Sequence, residues 1–279
     1  MRKNFVPWLW ALLVASLAIV GCQSVQTTQP GVVGVTREQR VSPLINRVQL
    51  NQQAALQYRQ VLGEAQKNKA LNADSEDVLR VRRIADRIIP HTAVFRPEAV
   101  NWKWEVNVIS SKDLNAWCMP GGKIAFYTGL IDGLKATDDE LAQVMGHEIA
   151  HALREHAWER ASRSATAGLG LSIIGIALGA GQGQMDLAEM VYSVTFELPN
   201  SREHETEADR IGIELAARAG YDPRAAVTLW QKMAKASGGG QPKWLSTHPA
   251  SEDRQSDLQD YGARVSPLYE QARRSPGRV

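Results

Sequence analysis

Thr137-Asp138-Asp139-Glu140-Leu141-Ala142-Gln143-Val144-Met145-Gly146-His147-Glu148-Ile149-Ala150-His151 is the stretch that organises the reading of this chain. A threonine followed three residues later by glutamate forms a capping box, in which each side chain satisfies the other residue's backbone N–H. The acidic residues at 138–140 also sit at the positive end of the helix dipole. A helix is therefore predicted from about residue 138 to about residue 162. On such a helix His147 and His151, four residues apart, share one face.

Two imidazoles so placed can reach one zinc ion at about 2.0–2.1 Å. Glu148, one step from His147, flanks the metal and is positioned to take a proton from a bound water and pass it to a leaving amine. A catalytic zinc needs a third protein ligand and an open position. The candidate segment is Ser201-Arg202-Glu203-His204-Glu205-Thr206-Glu207-Ala208-Asp209-Arg210. Glu205 and Asp209 share a helical face, which lets one carboxylate bind metal while the other supports a ligand imidazole. On spacing alone Glu207 stays open as an alternative ligand.

Outward from these helices, apolar residues at helical spacing predict helices over residues 42–69 and 74–89. Trp102, Trp104, Val106 and Val108 alternate with polar residues, the period of a half-buried strand. A second strand is expected over Lys123–Tyr127, after the turn Pro120-Gly121-Gly122. Residues 165–180 are small and aliphatic with four glycines. They read as a buried or loosely packed helix with a glycine-rich exit, or as a cover over the site. Further helices are expected from Asn200 or Ser201 to Gly220 and over residues 224–236, and residues 266–279 read as a disordered tail.

The N-terminus carries Arg2 and Lys3, a 16-residue apolar run over residues 5–20, and then Gly21-Cys22. The run is shorter than the roughly 20 residues a bilayer-spanning helix needs, and this order reads as a secretory signal. Ile19-Val20-Gly21-Cys22 resembles a bacterial lipobox, which implies lipidation at Cys22 and a membrane attachment through that lipid. Residues 22–41 are then expected to be a flexible tether. Cys118, the other cysteine, reads as a buried inert thiol. Without Arg2 and Lys3 the charges balance at 30 against 30, so nothing electrostatic favours a nucleic-acid partner. His91, His156 and His204 receive no role, the first in a connecting loop and the others on helix surfaces among charged residues.

The His147–His151 helix, the Glu205-x-x-x-Asp209 helix and the later Thr247-His248-Pro249 resemble the gluzincin family that contains the CAAX prenyl protease, HtpX, BepA and LoiP. The resemblance covers roughly residues 45–260, and the lipobox places the chain beside the LoiP-like periplasmic lipoproteins. It implies an α+β, helix-rich zincin-type domain over residues 42–265, with a small sheet presenting an edge strand at the cleft. It also implies one Zn2+ per chain, held by His147, His151 and Glu205. Asp209 and Arg254 would buttress the ligands, and His248 would stabilise the oxyanion or block the water position. Asn115 and the strand residues Lys123, Ile124, Ala125 and Phe126 would pair with extended, unfolded polypeptide. The implied activity is an endopeptidase clearing misfolded envelope proteins from the periplasm, anchored at the inner face of the outer membrane. The alternative is a periplasmic chaperone that holds unfolded clients with little proteolysis.

Overall fold

The capping box forms in full: Glu140 N–H donates to Thr137 Oγ1 at 3.2 Å, and Thr137 N–H to Glu140 Oε2 at 2.8 Å. In the computed structural model, which describes residues 22–177, 187–236, 242–249 and 252–274, this helix is the centre of a helix-rich body. In chain order the elements are β1 (Gln23–Val25), β2 (Gln39–Val41), α1 (Arg47–Lys67), α2 (Ser75–Ile88), β3 (Glu105–Ile109), β4 (Ala116–Met119) and β5 (Lys123–Tyr127). There follow α3 (Asp138–Leu153), α4 (His156–Ala177), α5 (Leu187–Tyr192), α6 (Arg202–Arg218), α7 (Ala225–Ala236), α8 (Lys243–Thr247) and α9 (Glu252–Arg274). Short π-helical turns, Gly129–Gly133 and Ser193–Glu197, follow β5 and α5.

Helix α3 is buried from Glu140 to Leu153 on every side, as expected of a helix that runs through a core instead of over it. Its apolar residues Val144, Met145 and Ile149 join Ile84 and Ile88 of α2, Ile124 and Phe126 of β5, and Ile211 and Leu215 of α6 in the main core. A smaller core packs Leu50 and Tyr58 of α1 against Trp117, Ala161 and Val191. The site lies where α3 and α6 cross. No helix among the described residues is long and apolar enough to cross a membrane.

Four expectations are corrected. The helix predicted to run to residue 162 is two helices, α3 and α4, separated at Arg154 and Glu155. Glu155 takes the left-handed region (φ 52) with no glycine to announce it.

The three-stranded sheet has the order β3-β5-β4, with β3 parallel and β4 antiparallel to β5. Lys123, Ile124, Ala125 and Phe126 therefore belong to the central strand, whose two edges are already paired, and cannot receive a substrate strand. The open edge is β4. Tyr127 N–H donates to Asn115 O at 3.1 Å, so by antiparallel alternation Ala116 and Cys118 turn their backbone groups away from β5.

Residues 22–41 are a docked strap in place of a tether. β1 pairs antiparallel with β2, and Thr28, Val33, Val35, Gln39 and Val41 are buried. The polar composition suggested freedom, but Val33, Val35 and Val41 point inward while Val32 stays exposed.

The expected tail is helical to Arg274, because Val265 is buried and Leu268 and Tyr269 pack on the core despite Pro267. The apolar run 5–20 and residues 178–180 of the glycine-rich stretch lie outside the described residues; residues 165–177 belong to α4.

Candidate metal centre

His147 and His151 stand one turn apart on α3, Glu205 comes from the first turn of α6, and His248 caps α8, its N–H donating to Trp244 O at 2.9 Å. All four are buried, and one ligating atom from each lies within 4.8 Å of all the others. Helices α3 and α6 can approach this closely because two glycines face each other at the crossing. A Cβ on Gly146 would lie 2.5 Å from Gly212 O, and one on Gly212 would lie 2.6 Å from His147 N.

The separations are those of a coordination shell. His147 Nε2 and His151 Nε2 are 3.0 Å apart, and His248 Nδ1 is 3.2 Å from His147 Nε2 and 3.1 Å from Glu205 Oε1. Glu205 also lies 3.6 Å from His147 Nε2 and 3.4 Å from His151 Nε2. Ligands of a tetrahedral zinc at about 2.0–2.1 Å sit about 3.3 Å from one another.

The proton count agrees. His147 Nδ1–H donates to Asp209 Oδ1 at 3.0 Å, so in the neutral ring Nε2 carries the lone pair. His151 Nδ1 faces His156 Nδ1 at 2.7 Å while His156 Nε2 faces Glu207 Oε2 at 3.0 Å. The carboxylate can only accept, so His156 donates to it and must accept at Nδ1 from His151. His151 Nε2 is then also a lone pair. Two lone pairs and a carboxylate converging within hydrogen-bond distance repel one another unless a cation sits among them, so the residues present fit a divalent metal.

Around this shell, Arg254 holds both oxygens of Asp209, Nε to Oδ2 at 2.7 Å and a terminal nitrogen to Oδ1 at 2.8 Å, and lies 2.8 Å from Glu205 Oε2. Burial alone would raise the pKa of Glu205 and Asp209. The charges of His248 and Arg254 on Glu205, and of Arg254 on Asp209, outweigh it and hold both below the usual carboxylate range. Burial pushes His151 well below its ordinary value, which favours the neutral ring a metal requires, whereas at His147 burial is outweighed by the Asp209 hydrogen bond and the charges of Glu205 and Asp209, which raise it. Glu148 is 2% exposed. Its Oε1 accepts Trp244 Nε1–H at 2.9 Å and lies 3.4 Å from His248 Nε2.

Of the residues singled out in the sequence, His147, Glu148, His151, Glu205, Asp209, His248 and Arg254 are brought together. Asn115 precedes the open strand β4, and β5 stands one strand back from the cleft. Burial raises the Cys118 thiol well above its ordinary pKa, in keeping with an inert side chain.

The sequence reading missed His156 and His204, which are 1% and 0% exposed and stack with ring centroids 4.2 Å apart. Only the unsignalled break at Glu155 brings His156 back under His151. Gly146 and Gly212 were also passed over, although glycine inside a helical pattern is itself a signal of close packing.

A sequence model of Peptidase family M48 matches residues 76–261. Among curated proteins the chain is 40% identical over 165 residues to the mitochondrial metalloendopeptidase OMA1 of Arabidopsis thaliana, a match covering 59% of this chain and 32% of that protein. It is 32% identical over 197 residues to the metalloprotease LoiP of Escherichia coli, covering 67% of this chain and 71% of LoiP. It is 31% identical over 188 residues to a putative beta-barrel assembly-enhancing protease of Vibrio cholerae, covering 64% and 38%. The matched region spans 32% to 50% of the length of several OMA1 relatives.

Proposed function

The chain belongs to peptidase family M48, and from that premise we propose that it is a zinc-dependent endopeptidase whose metal is held by His147, His151 and Glu205. The observation that carries this reading is the convergence of three buried acceptors beside Glu148, an arrangement with no use in a purely structural site. Bound zinc would act as a Lewis acid and bring the pKa of a coordinated water to about 7.

The chain's own residues do the rest. Glu148, fixed by Trp244, takes the proton of the attacking water and hands it to the leaving amine. Asp209 keeps His147 in the tautomer that offers Nε2, and Arg254 keeps Asp209 in place. An extended substrate adds to the open edge of β4 through the outward backbone groups of Ala116 and Cys118, a mode that accepts unfolded segments and excludes folded surfaces.

His248 occupies the fourth corner of the cluster. In that position it fills the place a water needs, and moved aside it can donate to the oxyanion. The filled corner is also what favours the alternative reading, a factor that holds unfolded clients with little cleavage.

The leader and the lipobox-like Ile19-Val20-Gly21-Cys22 support a periplasmic lipoprotein attached to the inner face of the outer membrane. We assign its substrates to misfolded envelope proteins on that location and on the strand-addition mode. Unchanged turnover of envelope proteins under stress in a deletion strain would refute this assignment.

The test is zinc content and casein cleavage by the soluble chain starting after Cys22. Wild type should hold one zinc and cleave, Glu148→Gln should keep zinc without cleaving, and Glu205→Ala should lose the metal. Zinc without cleavage, even after His248→Ala, would transfer the case to the client-holding reading; absence of zinc would refute the metal centre itself.

A further inference from the structure

Behind the metal ligands lies a second buried cluster that the peptidase reading does not use: Arg37, Arg154, His156, Glu159, His204 and Glu207. Glu159 is 0% exposed and Glu207 5%, and two such carboxylates cannot remain ionised away from water without cations. Arg37 supplies one from the N-terminal strap, and its planar fork bridges both groups. Its Nε–H donates to Glu207 Oε1 at 2.6 Å and one terminal nitrogen to Glu207 Oε2 at 3.1 Å. Its two terminal nitrogens reach Glu159 Oε1 and Oε2 at 3.0 and 2.9 Å.

Arg154, 0% exposed, donates from Nε to Glu207 Oε2 at 2.9 Å, and its terminal nitrogens reach Thr28 Oγ1 at 3.0 Å and Arg37 O at 2.6 Å. The strap returns a bond, Gln39 Nε2 to Arg154 O at 2.8 Å. Glu207 is therefore held jointly by Arg37 of the strap and by Arg154 and His156 of the body. It is also the acceptor that fixes the tautomer of His156, which in turn fixes that of the metal ligand His151.

We propose that Arg37 is a positioning residue for the metal centre: through Glu207 and His156 it sets the orientation and proton of His151, so that docking of the strap over residues 26–41 governs how tightly the metal is held. The inference rests on the zinc reading above. It adds that the segment joining the body to Cys22 is part of the metal site's outer support. Arg37 contacts none of the metal ligands directly and reaches His151 through Glu207 and His156. A histidine ligand deprived of its oriented hydrogen-bond partner typically loses 10–100-fold in metal affinity, and that is the effect expected here.

The test measures the dissociation constants of Zn2+ and Co2+ by chelator competition, and the visible absorption of the Co2+-loaded chain, for the soluble protein starting after Cys22. Arg37→Met should weaken both metals by about 10–100-fold and shift the cobalt bands. Arg37→Lys, which keeps a charge but cannot fork between two carboxylates, should fall between Arg37→Met and wild type. Glu207→Gln should behave like Arg37→Met. Arg80→Met, which removes an ion pair to Asp138 at the far end of α3, should leave metal affinity unchanged whatever it does to the melting temperature.

Metal affinities within twofold of wild type and unshifted cobalt bands, in Arg37→Met and Glu207→Gln folded by near-UV circular dichroism, would overturn the proposal. Should Arg37→Met fail to fold, Arg37→Lys and Glu207→Gln decide it on the same threshold. A wild type that binds neither metal would overturn this proposal together with the zinc reading, whereas tight wild-type binding with unaffected variants would overturn the coupling alone.

Discussion

Glu205 and Glu207 show how two like residues, about half a turn apart on α6, acquire different work. Glu205 faces α3 and the cluster of imidazoles, while Glu207 faces the back of the same helix and the strap. From sequence either could have been the ligand, because the period of a helix gives relative direction and not which side meets the metal. The pair His147 and His151 was legible because their relation is local, four residues on one helix. His156 was not, since its position depends on a left-handed residue at 155 that is an ordinary glutamate. At this scale the sharpest expectation concerns Glu148: its change to glutamine should preserve metal content and lower kcat by about 100- to 10,000-fold. A variant retaining more than a tenth of wild-type kcat would remove Glu148 from the chemistry.

Among the elements, α3 and α6 meet through the backbone at Gly146 and Gly212, and the site exists only at that separation. Gly212→Ala forces a methyl group against His147 N. It should cost about 1–3 kcal/mol in urea unfolding and also weaken metal binding, because Glu205 is carried away from the histidines. An unchanged midpoint and metal affinity would mean the helices tolerate displacement.

The N-terminus of α3 offers a separate measurement. Thr137→Ala should cost about 1 kcal/mol, without effect on the metal, which lies more than two turns away. Glu140 in the same box is drawn in opposite directions: burial raises its pKa, but Lys232, the Thr137 N–H and Thr228 together hold it below its ordinary value. A carboxyl depressed in the folded state lends stability above its unfolded pKa of about 4.3 and loses it as pH falls through the folded value. Glu140→Gln should therefore flatten the acid limb of the stability profile below about pH 4.3; an unaltered limb would show that other carboxylates carry it. The sheet was half legible. Alternation identified strands, but no local pattern tells which strand a neighbour will choose, so the parallel pairing of β3 with β5 and the resulting open edge on β4 became visible only in the fold.

For the whole molecule, the strap is the feature composition concealed. Its apolar residues are few, yet Val33, Val35 and Val41 are each almost wholly enclosed. Burying three valines contributes on the order of 4–5 kcal/mol. A chain beginning at residue 42 should melt roughly 8–20 °C below one beginning after Cys22, by differential scanning calorimetry. Equal melting temperatures would mean that the strap rests on the body without stabilising it. Helices α1, α2, α6 and α7 were readable from apolar spacing and caps, while the α+β architecture as a whole was what the family resemblance implied. Helix α9 was not predicted at all, and its end, with Pro267 and polar neighbours, resembles a tail until Val265, Leu268 and Tyr269 find the core.

The strap also sets an order of events during synthesis. Arg37 bonds to Glu207 across 170 positions, and the backbone of Val33 to Glu214 across 181. A ribosome adding about 5–20 residues per second leaves an interval of roughly 10–30 s between the appearance of the first partner and the second. Until α6 has been made Arg37 lacks Glu207 and the Val33 backbone lacks Glu214, so the nascent segment is open to holding factors and to premature association. Closure of the site is postponed until Glu205 and Glu207 have been made, and a chain shorter than that has no assembled cleft with which to cut its neighbours.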